Sequence, residues 1–460
     1  ERRSGRRWDV SIAASSMLEA SRLSENYATV NPCSMCMPMG SVMVFKGIEG
    51  CMPIFHGSQG CSTYMRLHLA HHFREPVDIA SSALSEKGAV YGGAANLKKG
   101  LLNVIQGYGP RAVGVATTCL AETIGDDVAQ IVREFQQEEP RAREVAIIPT
   151  STPSYSGSHE EGYNEALKAV VRTLAKRGRP NSRFNLVIGS IISPAEVRHL
   201  KSMLDDWGCG YDRIIFPDIS ETFDAPLAAD YPKIPEGGTP LADIEDMANS
   251  RETLTVGGSI FGGSAGDYLE REFGVHHTIL PLPIGVEQTD RLIGKLEEIT
   301  GLGLPEKYER DRGRLLDAIV DCHKLVAGVR TAVYGDAEMA LGVAKLLCEM
   351  GMDPRVIATG SKSPEFVRRG EKMAPGSEVL SGVDFSEIGE AVARNDIELL
   401  IGPFTGRQIS KAENIPLLRV GLPNHDRFGS SRQMVLGYEG TTRLVDEIAN
   451  VIVEMNERGG

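Results

Sequence analysis

Short β-branched runs, each followed by a glycine or polar turn and then by an amphipathic stretch, recur along most of the chain. The pattern is clearest from Arg111 onward. There "RAVGVATT" reads as a buried strand, "CLAETIGDDV" as a turn and "DDVAQIVREFQQ" as the helix behind it. "REVAIIPTSTPSYSGS" is another strand with its loop, and "EGYNEALKAVVRTLAKRG" another helix. The alternation returns in "RFNLVIGSI", "SPAEVRHLKSMLDDWG" and "YDRIIFPDIS", crosses a Pro/Gly-rich linker ("ADYPKIPEGGTP") and resumes at "MANSRETLTVGGS". A helical run from "TDRLIGKLEEITG" to "DRGRLLDAIVDCHKLVAG" leads to a third set, "RTAVYGD", "AEMALGVAKLLCEMG", "DPRVIATG", "IELLIGPFTGRQ" and "IPLLRVGLP". Strand–turn–helix alternation of this kind builds parallel sheets with helical crossovers. The expectation is an α/β protein of three Rossmann-like domains with parallel sheets flanked by helices. Its parts are residues 1–179, an N-terminal α/β domain with the cysteine-rich loops, 180–300, and 301–460 with connecting and C-terminal helices. No G-x-G-x-x-G follows any of these strands, so a dinucleotide site has no support.

Before Arg111 the pattern is harder to read. "SIAASSMLEASRL" has helical spacing, "TVNPCSMCMPMG" reads as a Pro/Gly-rich loop, and "GSVMVFKGI" fits either a strand or a helix start. At 460 residues the chain is too long for one hydrophobic core. A net charge of −13 and 24% charged residues argue against non-specific nucleic-acid binding and against an anionic membrane surface. No apolar run reaches the roughly 18 residues needed to span a bilayer. The opening "ERRSGRRWDV" is similar to a twin-arginine signal, but the residues after it are too polar for a signal core; a basic tail on a cytoplasmic protein is expected.

The eight cysteines stand at positions 33, 36, 51, 61, 119, 209, 322 and 348, five of them in the first quarter of the chain or close to it. A disulfide framework belongs to short secreted chains, so this clustering favours metal or redox chemistry. Cys119 lies where the strand "RAVGVATT" ends and its helix has yet to begin, and such positions face the crevice beyond the carboxyl ends of the strands. Ser154 occupies the corresponding loop after the next strand. Cys36 and Cys61 lie in Gly-rich loops, where Gly40, Gly57 and Gly60 permit close backbone approach to a bulky ligand. Thiolates are soft donors suited to iron–sulfur clusters, so Cys36, Cys61 and Cys119 could meet at one cluster, although three thiolates would need help from elsewhere. The Cys33-x-x-Cys36 pair lacks the second pair a zinc site wants. Cys209, Cys322 and Cys348 read as packing. His68, His71 and His72 fall at helical spacing but alternate with Leu67, Leu69 and Phe73, and read as helix-surface or hydrogen-bonding residues rather than metal ligands. In "TIGDD" the acids read as helix capping rather than catalysis.

Together, "NPCSMCMPMG", "FHGSQGC", "HFREP", "TTCLAETIGDD" and "TPSYSGSH" resemble the β-type subunits of the nitrogenase superfamily, and the resemblance runs on to "IPLLRVGLPNHDRFGSSRQMVLGYEGTTRLVDEIAN" near the end. It implies that Cys36, Cys61 and Cys119 each ligate a P-cluster-type 8Fe-7S iron–sulfur cluster shared with an α-type subunit, which supplies the missing thiolates. Ser154 matches a serine that ligates that cluster when oxidised, Cys51 a common non-ligand cysteine, and Cys33 is an alternative ligand. The resemblance further implies an α2β2 heterotetramer, an ATP-dependent 4Fe-4S reductase homodimer as electron donor, and an active-site iron–sulfur cofactor in the partner chain, since nothing here matches the cysteine and histidine that hold it.

Within that superfamily the motifs are mixed. "HFREP" and "GRQISKAENIPLLRVGLP" resemble the cofactor-assembly scaffold branch, yet that branch tends to lose the first and third cysteines, and Cys36 and Cys119 are both here. Catalytic dinitrogen-reducing β subunits keep all three but usually differ in the last third. The mixture most resembles the nitrogenase-like methylthio-alkane reductases, which cleave C–S bonds and release methanethiol; a dinitrogen-reducing subunit and an assembly scaffold are the alternatives.

Overall fold

A computed structural model describes residues 32–210 and 212–459. The helix expected at "SIAASSMLEASRL" and the basic tail lie outside the described residues. The α/β architecture is the expected one: three parallel sheets flanked by helices. The first contains β1 (Cys51–His56), β2 (Ala80–Ser81), β3 (Ala112–Thr117) and β4 (Ala146–Thr150), in the order β2-β1-β3-β4. The second contains β5 (Phe184–Ile188), β6 (Arg213–Phe216), β7 (Glu252–Val256) and β8 (His276–Leu280), in the order β6-β5-β7-β8. The third has β9 (Arg330–Tyr334), β10 (Asp353–Thr359), β11 (Glu378–Ser381), β12 (Leu399–Gly402) and β13 (Leu417–Arg419), in the order β11-β10-β9-β12-β13.

In each sheet the strand order reverses once, between β1 and β3, β5 and β7, and β9 and β12. At such a switch point the connecting helices leave to opposite sides, and a crevice opens beyond the carboxyl ends of the two central strands. In the first sheet His56 and Thr117 are register partners at those ends, so the segments that follow them leave side by side. Both strands are buried along their whole length.

Two elements before Arg111 go beyond what the sequence pattern showed. "CMPIFH" forms β1, although Pro53 interrupts its apolar run; Pro tolerates a strand where its missing N–H is not required by the ladder. The expected loop "NPCSMCMPMG" ends instead in a helix, Met37–Lys46, with Pro38 in its first turn, where a fixed φ and a missing N–H cost nothing. Every residue of this helix is buried, so it shows no polar face from which a helical period could be read. It packs backbone to backbone on the helix His159–Leu174: a Cβ at Gly40 would stand 1.9 Å from the His159 carbonyl oxygen, and one at Gly162 1.9 Å from that of Met37.

One buried polar network ties the first sheet's layer to the third. His159 Nε2 lies 2.8 Å from Asp336 Oδ1, and its Nδ1 accepts from the Met35 N–H at 3.2 Å. The Glu160 carboxylate accepts from the Ala337 N–H at 2.8 Å and from the Ser361 hydroxyl. Burial, and then the neighbouring Asp336, raise the Glu160 carboxyl above the usual carboxylate range. Glu196 is likewise raised by burial, to about 7, against the lowering effect of the Ser193 and Val435 N–H groups.

A carboxyl whose pKa is raised on folding holds its proton in the native chain where the unfolded chain has lost it. Its stabilising contribution is complete below the unfolded value and fades as pH rises through the folded one. The wild-type chain should therefore lose stability relative to Glu196→Gln between about pH 4.5 and pH 7, with a slope approaching about 1.4 kcal/mol per pH unit. Thermal midpoints of the two proteins across that interval check the sign. A difference that stays constant with pH would contradict it.

Candidate functional site

All three predicted cysteines stand at the beginnings of helices. Cys36 is the N-cap of Met37–Lys46, Cys61 is the third residue of Gln59–Phe73, and Cys119 opens the short helix Cys119–Ile124. Helix starts leave backbone N–H groups without intrahelical partners beside these side chains. The sheet explains two of these placements: Cys61 follows the end of β1 and Cys119 the end of β3, the paired strands at the switch point. The third comes from the Gly40–Gly162 packing and from an antiparallel bridge between Cys36 and Ser158.

The thiols share one neighbourhood. Burial raises the Cys36 thiol, a hydrogen bond with the Ser154 hydroxyl lowers it, and Cys119 and Cys61 raise it further through space. Ser154 Oγ also accepts from the Met37 N–H at 3.2 Å, and the Ser58 hydroxyl points at Cys61 Sγ from 4.0 Å. Cys36 is exposed, whereas Cys61, Cys119 and Ser154 are half-buried, so the four expected residues line an accessible face. Tyr64, partly exposed one helical turn beyond Cys61, has its hydroxyl pKa raised by burial and by Cys36.

The remaining cysteines behave differently. Cys51 is buried at the start of β1, its thiol pushed up to about 12 by burial. Cys33 packs against the third sheet's apolar cluster; burial and then Asp336 raise its thiol. Cys209 is buried, and Cys322 and Cys348 pack against the main core.

Among the described residues no three His, Cys, Asp or Glu side chains are gathered closely enough to hold one metal ion. Among those residues this chain alone offers no donor set for a mononuclear site. Soft donors spread over an open face, each at a helix start, fit instead one side of a larger iron–sulfur group. The glycines divide their work: Gly57 and Gly40 serve packing within the chain, and only Gly60 leaves open space, with nothing nearer than Ser58 Oγ at 3.6 Å.

The histidines of Gln59–Phe73 lie against the segment that carries Asn424 and His425. His72 is buried, kept neutral by burial with a pKa near 3, and its Nδ1 accepts from the Asn424 N–H at 2.9 Å. His68 and His71 lie against His425, with ring centroids 4.9 Å and 5.4 Å away. The two acids of "TIGDD" split. Asp127 caps Val128–Glu138 as expected, accepting from the Gln130 N–H at 2.8 Å, but Asp126 turns inward to His56, 2.9 Å away. Glu122 was also missed: its Oε1 accepts from the hydroxyls of Thr117 and Ser151, tying the Cys119 helix to the segment leading to Ser154. The only sequence signal for these partners was polar residues inside two of the quoted motifs.

Comparison with known proteins places these features in context. A profile of the nitrogenase component 1 type oxidoreductases matches residues 36–453. A nitrogenase molybdenum-iron protein beta chain of Methanococcus maripaludis is 38% identical over 446 residues, covering 94% of this chain and 96% of its own. A nitrogenase vanadium-iron protein beta chain of Trichormus variabilis is 35% identical, covering 93% and 95%. A solved structure described as nitrogenase Cp1 at pH 6.5 superposes with a TM-score of 0.90 at 33% identity, covering 95% of both chains.

In the chain separated from any partner, a maleimide should modify Cys36, Cys61 and Cys119 first and Cys51 last, with rates differing at least about a hundredfold, because buried thiols offer neither access nor thiolate. Peptide mapping over time checks the order. Early labelling of Cys51 would contradict the placement.

Proposed function

Since the chain belongs to the nitrogenase component 1 type oxidoreductases, we propose that it is a β-type subunit that shares a P-cluster-type 8Fe-7S cluster with an α-type subunit and relays electrons towards that partner's active-site cofactor. The observation that carries this reading is the accessible face on which Cys36, Cys61, Cys119 and Ser154 meet at the switch point of the first sheet. Cys36, Cys61 and Cys119 would hold the cluster on this side, with Ser154 as a further ligand in an oxidised state. When bound, such a cluster supplies one-electron transfer at low potential.

The chain's own residues prepare that face. The Ser154 hydroxyl and the Met37 N–H fix each other beside Cys36, and Glu122 holds the Cys119 helix to the Ser151 segment. The open side leaves room for a second protein to complete the ligand set and exclude water. No helix among the described residues is long and apolar enough to cross a membrane. Assembly into an α2β2 heterotetramer in the cytoplasm, served by an ATP-dependent 4Fe-4S reductase homodimer, follows from this reading.

For the reaction next door, the mixture of motifs supports reductive C–S cleavage of methylthio-alkanes to methanethiol. Dinitrogen reduction is the second reading, favoured by the names of the molybdenum and vanadium relatives. Retention of all three cysteines speaks against a pure assembly scaffold.

In the anaerobically purified complex, Cys61→Ala should abolish cluster assembly, whereas Cys209→Ala should cost only about 1–2 kcal/mol of stability. Ser154→Ala should keep the reduced cluster and alter only its oxidised states. Iron and sulfide analysis with redox titration checks this set; equal iron loss in all three variants would sink it. With reductase, MgATP and a low-potential donor, the complex should release methanethiol from a methylthioethanol-type substrate, and Cys119→Ala should not. Ammonia from dinitrogen without methanethiol would transfer the assignment to the second reading. Neither product, together with delivery of a bound cofactor to another apo-protein, would transfer it to the scaffold.

A further inference from the structure

Between the segments that carry Cys61 and Cys119 runs a polar chain with a fixed direction of hydrogen bonding. The Gly57 N–H donates to Ser82 Oγ at 3.0 Å, and Ser82 Oγ lies 3.0 Å from His56 Nδ1. His56 Nε2 lies 2.9 Å from Asp126 Oδ2, and both Asp126 oxygens accept from the Gly93 N–H, at 3.1 and 3.0 Å. A carboxylate only accepts, so Nε2 carries the ring proton. Burial lowers the His56 pKa and keeps the ring neutral, so Nδ1 is the acceptor and the Ser82 hydroxyl donates to it. Every donor and acceptor then agrees. The order Ser–His–Asp resembles a hydrolytic relay, but Ser82 is only 4% exposed and its oxygen is engaged on both sides, so no substrate reaches it.

What the chain joins is more telling. His56 ends β1 and Gly57 follows it, leading to Cys61; Asp126 follows the helix that Cys119 opens. The His56 carbonyl accepts from both the backbone N–H and the hydroxyl of Thr118, at 3.0 and 3.2 Å. The contacts leave no slack. A Cβ at Gly57 would stand 1.8 Å from Thr118 Oγ1, and one at Gly93 would stand 2.4 Å from Asp126 Oδ2 and 2.7 Å from His56 Cε1.

We propose that His56 and Asp126, braced by Ser82 and Gly93, are positioning residues that set the placement of Cys61 relative to Cys119 for the group both hold. This rests on the shared-cluster reading and deepens it. The four act through the two loops that carry Cys61 and Cys119.

The test compares Asp126→Ala, which removes both acceptor oxygens, with Asp126→Asn, which can keep one oxygen facing both His56 and Gly93. His56→Gln is a second break in the chain. Ser193→Ala is the control, since it removes a helix cap in the second layer, remote in sequence from the cysteines. In the purified complex, Asp126→Ala and His56→Gln should release iron to a ferrous chelator at least about tenfold faster than wild type and shift the cluster's midpoint potential, as outer-shell changes do at metal sites. Asp126→Asn should restore most of both properties, while Ser193→Ala should lower the thermal midpoint and leave both unchanged. If Asp126→Ala and His56→Gln lower only the thermal midpoint, the residues are structural and the inference falls. If either variant fails to assemble, Ser82→Ala, which removes the brace on His56 Nδ1, decides: iron release or a potential that departs from wild type supports the proposal, and wild-type values for both overturn it. A wild-type complex without iron would overturn the shared-cluster reading itself, and this inference with it.

Discussion

The parallel pairing of β1 with β3 is the constraint on which the site depends. Its register sets His56 opposite Thr117 at the carboxyl ends of two fully buried strands. A one-residue slip would exchange the side chains that β1 presents to the two cores flanking the sheet and would separate the segments that carry Cys61 and Cys119. Because strand order reverses between these two strands, the crevice beyond them belongs to no crossover helix. Chemistry can therefore be placed there without disturbing the core.

Cys36 comes from a different source of order. It precedes a helix with no solvent-facing side, held by backbone contact at Gly40 and Gly162 rather than by a sheet ladder. Its neighbour Met35 donates to His159, and His159 reaches Asp336 in the third layer. Cys36 is thus coupled to the packing between layers, whereas Cys61 and Cys119 are coupled to the first sheet. A face assembled from helix packing and from strand ends keeps its donors spread, in agreement with the absence of any three-donor single-ion site among the described residues.

Burial sorts the thiols by task. Cys51 sits only five residues before His56 on the same strand, yet its thiol is sealed and pushed up to about 12. Cys33 lies three residues before Cys36 and faces the third sheet's core. Proximity along the chain is therefore a poor guide to chemistry here, and the direction in which each Cα points decides. The same holds for the adjacent acids, of which Asp127 faces its own helix and Asp126 faces His56.

Alternation of apolar runs and amphipathic stretches was enough to read the three-layered α/β fold, because parallel strands buried on both faces are apolar throughout and their crossover helices are not. The motifs around Cys36, Cys61, Cys119 and Ser154 were enough to nominate those residues, since a Cys, Gly and Pro pattern is local. The helix Met37–Lys46 was not legible, because total burial erases the period that marks a helix. Nor was the pairing of His56 with Asp126, which joins residues 70 positions apart through two polar groups that look alike in sequence whether they face solvent or each other. Periodicity records which face of an element is buried. Which buried polar group meets which depends on strand register and on how closely backbones approach, and only the folded chain decides those.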